Sequence, residues 1–499
     1  MFVLRRLCVL MLTATLIVSA GARAVTVPGC EPPGPGGDWP IYGNTIDNHR
    51  NQTAEQSIGV SNVGELELAW QVPMEDLSTI HSTPTVADGC VFVGTNSARV
   101  LAINIRTGKV VWDTFIGGAG QGNYFVGAGI IGAPAIANGL VYVAVTAASD
   151  SRVVALDQVT GQIVWTSIID SDSGGGVDAS PVPFNGMILQ GYQGDESSNH
   201  SNPGWVILDG SRAGGGAILV KTHTIPPTDF AAGDRGGSVV GTPALDLARK
   251  LAFIGTGNPA SERQNPRTNS LLKVDLDPTH ATFGQVLDQV RGTSDSYPFP
   301  GDTESPVCNT NLQWPIGRYS CFEFDYNFLA SPNLWADGKG RVLMGELQKS
   351  GVYLAVDTAD MKPVWRATLA LPCFACNLSS SAVDDDAVYV ATTGGNLYAL
   401  NRDTGLPKWA VPLTGVFHYN GVSVANGVVY NVNDLGLLEA FDAATGRPLL
   451  VHPFALDNRM FNQDLGNSSG LSIARNTVFV TSAPQGGGST LFAFRLPGS

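Results

Sequence analysis

The stretch LAINIRTGKVVW at residues 101–112 decides the fold, because the chain repeats it. It returns as VALDQVTGQIVW at 154–165, LAVDTADMKPVW at 354–365, YALNRDTGLPKW at 398–409 and EAFDAATGRPLL at 439–450. Each copy follows an alternating apolar stretch, such as HSTPTVADGCVFVGT at 81–95, GAPAIANGLVYVAVT at 132–146 or NGVSVANGVVYNVN at 420–433. A unit of roughly 40 to 50 residues built from short strands is the mark of a propeller blade. Core strands recur near 84–94, 134–145, 181–191, 243–255, 332–345, 380–392, 422–432 and 471–482, which makes eight units. The last unit ends the chain in TLFAFRLPGS and lacks an outer strand; LELAW, ending at Trp70, supplies one. The sequence therefore predicts an all-β fold, an eight-bladed β-propeller of four-stranded antiparallel blades. An N-terminal strand closes its ring and hides both sheet edges. Each tryptophan is expected to fill the gap between blades, and each Thr-Gly pair to form a hairpin turn with glycine at positive φ.

Composition narrows the setting. Residues 1–24 read as an export signal, with Arg5 and Arg6, an apolar run over 7–20 and the small-residue site Ala22-Arg23-Ala24. That run is too short for a membrane span, and no other stretch is long and apolar enough. A lipid on Cys30 is disfavoured by its distance from the apolar run. Removing the signal takes basic residues from 29 to 26 against 43 acidic ones, a mature net charge of −17. Such a surface repels nucleic acid and anionic membrane and favours a basic partner or a cation. Residues 25–499 are expected to form a single propeller domain, periplasmic or secreted. Its six cysteines suggest disulfides, with Cys308–Cys321 and Cys373–Cys376 as local pairs and Cys30 left with Cys90. No Cys-x-x-Cys-His occurs, so no covalently attached haem is expected.

The blade phrase, together with DWPIYGNTIDNHRNQ at 38–52 and NVGELELAW at 62–70, resembles the pyrroloquinoline-quinone (PQQ) dependent alcohol dehydrogenases, in particular their polyvinyl-alcohol-dehydrogenase branch. The resemblance covers essentially the whole mature chain. It implies calcium binding by Asn258 in IGTGNP (254–259), and by Glu196 in QGYQGDE (190–196), where Gly194 also lies against the cofactor. It implies that Asp325, in Phe324-Asp325-Tyr326, is a metal ligand and the general base, and that Lys349, in QKSG (348–351), contacts the quinone. Lanthanide-using relatives carry a further acid two residues after the base. Here that residue is Asn327, which favours calcium.

The chemistry accounts for these residue types. Calcium takes several hard oxygen ligands, a carboxylate beside it can accept the alcohol proton, and a cation can stabilise charge on the reduced quinone. Some positions depart from the pattern. Val240 stands where the family has a stacking tryptophan, and no adjacent cysteine pair occurs to cover the other face. Asp178 replaces a neutral hydroxyl residue that faces the cofactor. His81 occupies the same kind of position in the first blade, as a cofactor contact or as a packed core histidine. Asn377 is placed to touch the cofactor from the sixth blade.

The expectation is an exported enzyme that oxidises a secondary or polymeric alcohol and passes electrons to an external acceptor such as a cytochrome c. The alternative is a cofactor-free propeller serving as a scaffold or ligand-binding module, since scaffolding propellers share the blade phrase.

Overall fold

The computed structural model describes residues 25–76, 78–117, 129–147, 149–171, 175–194, 201–261, 264–293, 326–371, 377–415, 418, 421–433, 435–455, 470–482 and 488–499. These form eight sheets. Blade 1 comprises Thr85–Ala87, Cys90–Gly94, Arg99–Asn104 and Val110–Phe115, ordered from the inner to the outer edge. Blades 2 to 7 repeat that order, beginning at Ala135–Ala137, Val182–Phe184, Ala244–Asp246, Asn333–Ala336, Ala382–Val383 and Ser423–Ala425. Blade 8 comprises Leu471–Ala474, Thr477–Thr481 and Thr490–Arg495, and its outer strand is the N-terminal Glu67–Pro73. Trp70 lies opposite Ala493 in that pairing. The expected closure of the ring is what the chain does.

The repeated phrase has a physical cause. The tryptophan ring of one blade seats against the turn glycine of the next. A Cβ on Gly161 would fall 2.7 Å from the Trp112 ring, and Trp112 Nε1 donates to Gln158 O of that turn at 3.1 Å. Gly108 meets Trp70, Gly216 meets Trp165, Gly405 meets Trp365 and Gly446 meets Trp409 in the same way. Glycine is thus required twice, by close approach and by its φ of 70° at Gly161. Blade 4 tests the rule. Its outer strand, Val286–Arg291, carries no tryptophan, and the following turn holds buried Met361 where the others hold glycine. Met361 fills the space itself, packed with Phe253, Leu271 and Val356.

The N-terminal segment has a role that its sequence did not reveal. Residues 39–50 wind around the inner strands and accept one backbone N–H from almost every blade. Val86 donates to Trp39 O, Ile136 to Pro40 O, Leu245 to Ile46 O, Leu334 to Asp47 O, Val383 to His49 O and Val424 to Arg50 O. Asn51–Gln52 then runs parallel to Ser423–Ala425 as a fifth strand of blade 7. These inner N–H groups would otherwise be unpaired sheet edges.

Arg50 is fully buried at the end of this spiral. Its guanidinium donates to the carbonyls of Tyr42, Gly421, Val422 and Leu471 and to the hydroxyls of Thr83 and Ser423, at 2.9 to 3.3 Å. The Tyr42 and Trp39 rings lie 4.8 and 5.7 Å from it. Burial pushes its pKa down, although a guanidinium remains charged.

A second ring of bonds runs beside the spiral. From blade 2 to blade 5, the residue before the inner-strand proline donates its N–H to the equivalent hydroxyl of the next blade. Ala133 donates to Ser180 Oγ, Ser180 to Thr242 Oγ1, Thr242 to Ser331 Oγ and Ser331 to Ser380 Oγ, at 2.9 to 3.1 Å. The series stops at blades 7 and 8, where glycines (Gly421 and Gly470) stand at these positions. Arg50 bridges that gap.

Candidate functional site

The second strand of each blade runs antiparallel to the inner one, so its C-terminal end lies beside the start of the inner strand. Residues just before the inner strands and just after the second strands therefore share one mouth of the channel. The N-terminal spiral lies further along the inner strands, toward the opposite end.

Seven of the expected site residues are at that mouth. His81, Asp178 and Val240 share one register, three residues before Pro84, Pro181 and Pro243. His81 and Asp178 are buried, and Val240 is half-buried. His81 Nε2 lies 2.6 Å from Thr79 Oγ1. Asn258 follows the strand Leu251–Gly255, Lys349 follows Val342–Leu347, Gly194 follows Met187–Tyr192, and Asn377 precedes Ala382–Val383. Glu196 and Asp325 lie outside the described residues, as do Cys308, Cys321, Cys373 and Cys376. Cys30 and Cys90 form the expected disulfide, which ties the N-terminal segment to blade 1.

Hydrogen bonds join four buried residues from blade to blade. Asn327 Nδ2 donates to Asn258 Oδ1 at 3.2 Å, and Lys349 N donates to Asn327 O at 3.1 Å. Asn377 Nδ2 donates to Lys349 O at 3.1 Å. The run extends to blade 3, because Ser238 Oγ accepts from Gly194 N at 3.3 Å and Ser238 O accepts from Gly257 N at 2.8 Å. A Cβ on Gly194 would fall 2.5 Å from Ser201 Oγ, which explains glycine there. Lys349 is itself buried, only 4% exposed. Buried amide oxygens are hard ligands, and a lysine ammonium is a cation. The described residues thus fit an anionic group together with a hard metal ion. Val240 fits a flat ring less well than an aromatic side chain would.

Sequence reasoning passed over three groups. Asn327 was read only for the acid it replaces, and Gln348 only as part of its phrase. Glu346 sits in the second strand of blade 5, where blades 1, 2, 4, 6 and 8 carry Val93, Val143, Ile254, Val390 and Val480 and blades 3 and 7 carry the amides Gln190 and Asn431. Its carboxylate presses on Gly255 of blade 4, where a Cβ would fall 2.5 and 2.6 Å from its two oxygens. Neither oxygen has a hydrogen-bond partner among the described residues, and burial pushes its pKa well above the carboxylate range. The signal in the sequence was a lone acid at an apolar position of the repeat.

The fold and this mouth define a repeat propeller of the quinoprotein kind. The chain belongs to the PQQ_2 family, whose model, described as outer membrane protein assembly factor BamB, matches residues 56–197 and 348–481. A polyvinylalcohol dehydrogenase of Sphingopyxis sp. (strain 113P3) is 26% identical over 463 residues, covering 83% of this chain. The chain spans 66% of that relative's length. Among solved structures, the quinohemoprotein alcohol dehydrogenase from Comamonas testosteroni superposes with a TM-score of 0.69 at 18% identity, over 93% of this chain and 81% of that one. A europium-containing methanol dehydrogenase gives 0.69 at 14% identity, over 92% and 98%. At these identities the two structures speak for the fold alone. Together the matches bear out the resemblance read from the blade phrase and the N-terminal segment.

Proposed function

We propose that this chain is an exported quinoprotein alcohol dehydrogenase acting on a secondary or polymeric alcohol. The observation that carries the reading is the buried run Asn258–Asn327–Lys349–Asn377 along one mouth of the propeller. The polyvinylalcohol dehydrogenase relative supports it. PQQ and Ca2+ would be held by Gly194, His81, Asp178, Val240, Lys349 and Asn377 around the cofactor, and by Glu196, Asn258 and Asp325 around the metal. When bound, that pair supplies a two-electron acceptor for the carbinol hydride and a Lewis acid beside it.

The chain's own residues do the rest. The Asp325 carboxylate takes the alcohol's hydroxyl proton. Lys349 Nζ donates a hydrogen bond where negative charge collects. The Val240 side chain excludes water from one wall, and the spiral at the other end leaves the mouth as the way in. Electrons leave to a separate acceptor such as a basic cytochrome c, drawn to a mature charge of −17. Residues 1–24 are removed on export, and 25–499 act as one domain in the periplasm or outside the cell. Among the described residues, no helix is long and apolar enough to cross a membrane.

A second reading, a cofactor-free scaffold or ligand-binding module, is favoured by aliphatic Val240 and by the absence of adjacent cysteines from the sequence. Calorimetric titration of PQQ into the mature protein, with calcium and with chelator, decides between them. Calcium-dependent binding of PQQ that is lost in Asn258→Ala supports the dehydrogenase. No binding under either condition leaves the scaffold.

A further inference from the structure

Gln348 closes the hairpin that follows the second strand of blade 5. Its N–H donates to Val352 O within the hairpin, as Thr95 N does to Arg99 O and Asn433 N to Leu437 O. The side chains of those counterparts serve the same hairpin, Thr95 Oγ1 accepting from Arg99 N and Asn433 Oδ1 from Leu435 N and Leu437 N, and Asn433 Nδ2 also donates at 2.7 Å to Thr414 O, past the outer strand of blade 6. The Gln348 side chain reaches the preceding blade in the same way and there holds two separate segments. Its Nε2 donates to Thr293 O at 3.0 Å and to Tyr326 O. Its Oε1 accepts from Thr293 N at 2.9 Å and from Ser350 Oγ at 2.8 Å. The amide is 1% exposed and makes four hydrogen bonds. Gly292 leaves room for it, because a Cβ there would fall 2.6 Å from Gln348 Nε2 and 2.7 Å from the Phe328 ring.

One amide thus binds the residues on both sides of the stretch 294–325. The next residue after Tyr326 is Asn327, which accepts from Lys349 N and donates to Asn258 Oδ1. The residue before Tyr326 is Asp325, the proposed base. We propose that Gln348 is a positioning residue. It fixes the Tyr326–Asn327 backbone against blade 5, so that Asn258, Asn327 and Lys349 keep one mutual register. The inference rests on the dehydrogenase reading for its consequence in catalysis, but not for the clamp itself.

A glutamate at this position keeps the shape and, when ionised, has no proton to offer Tyr326 O or Thr293 O. Methionine keeps the bulk and removes all four bonds. The test compares wild type, Gln348→Met and Gln348→Glu by hydrogen exchange of the cofactor-free protein and by steady-state kinetics of the PQQ- and calcium-loaded protein. In Gln348→Met, the amides of Asn327, Phe328 and Lys349 should exchange at least about tenfold faster while the core strands keep their protection. The kcat should fall on the order of 10²-fold at nearly unchanged alcohol KM, the scale of a misplaced reacting group. Gln348→Glu should behave likewise at neutral pH and recover the protection of those amides as the pH is lowered and the carboxyl regains a donor. Unchanged exchange of those three amides in Gln348→Met overturns the proposal, as does a uniform loss of protection across the blades. A wild type that binds no PQQ overturns the dehydrogenase reading instead, and leaves the exchange arm to judge the clamp.

Discussion

Arg50 on the channel wall and Glu346 between blades 4 and 5 are both fully buried, and they are treated differently. Arg50 makes six hydrogen bonds to four carbonyls and two hydroxyls. Neither oxygen of Glu346 finds a partner among the described residues. Asn269, whose backbone bridges Gly257 O and Gly292 N in blade 4, is buried with both amide atoms unbonded among the described residues. Unpaired buried groups cost on the order of 1–3 kcal/mol each, so a chain that keeps them has a use for them there. Arg50 holds the blades in register, and the flank of blades 4 and 5 keeps its unpaired groups beside the proposed site.

The comparison can be broken most directly at Arg50. Arg50→Met should strip donors from six buried acceptors and destabilise the ring by about 3–5 kcal/mol, a large value for one substitution. Chemical denaturation followed by tryptophan fluorescence reads it; a loss below about 1 kcal/mol would mean that the spiral holds without its guanidinium. The next effect belongs to the mouth and should appear in rate rather than stability. Lys349→Ala is expected to lower kcat on the order of 10²- to 10³-fold, the usual result of removing one charge-stabilising donor. Full turnover in a dye-linked alcohol assay would take Lys349 out of the mechanism.

Glu346→Val restores the apolar residue that five other blades carry at this position. It should stabilise the protein by about 1–3 kcal/mol at neutral pH. The sign of the pH dependence follows from the raised carboxyl. A group whose pKa is higher in the folded state favours folding fully below its unfolded value, and that contribution is lost as pH rises through the folded value. The gain from Glu346→Val should therefore shrink toward zero below about pH 4 and be largest at neutral pH and above; melting curves across pH that stay parallel would refute it. The smallest effect returns to Arg50. A Cβ in Gly421→Ala would fall 2.5 Å from Arg50 Nε, and should cost about 1–2 kcal/mol as the guanidinium shifts. Paired with Arg50→Met, the Gly421→Ala penalty should vanish, and a double-mutant cycle measures that coupling.

The fold was legible because propeller blades are local. Each is a meander of neighbouring strands, so Thr-Gly, tryptophan and apolar alternation write the same unit repeatedly within about 50 residues. Even the departure at Met361 is readable afterwards, as a turn that faces no tryptophan. The site was partly legible. Asn258, Lys349 and Asn377 could be marked by resemblance, since each ends or begins a strand of the repeat. Gln348 and Asn327 were not, because their partners lie in another blade or across a long insertion, and no local pattern announces such a contact.

By itself the sequence determined the number of blades and the order of strands, because those depend on hydrogen bonds between neighbours in the chain, and also the N-terminal strand that completes the last blade, because the repeat left that blade alone without an outer strand. Only the tertiary structure decided that residues 39–50 circle the channel, that Arg50 stands in where blades 7 and 8 lack a hydroxyl, and that one amide at Gln348 reaches from blade 5 to blade 4. Those bonds span up to several hundred residues. Their partners are backbone carbonyls, which every residue carries and no sequence distinguishes.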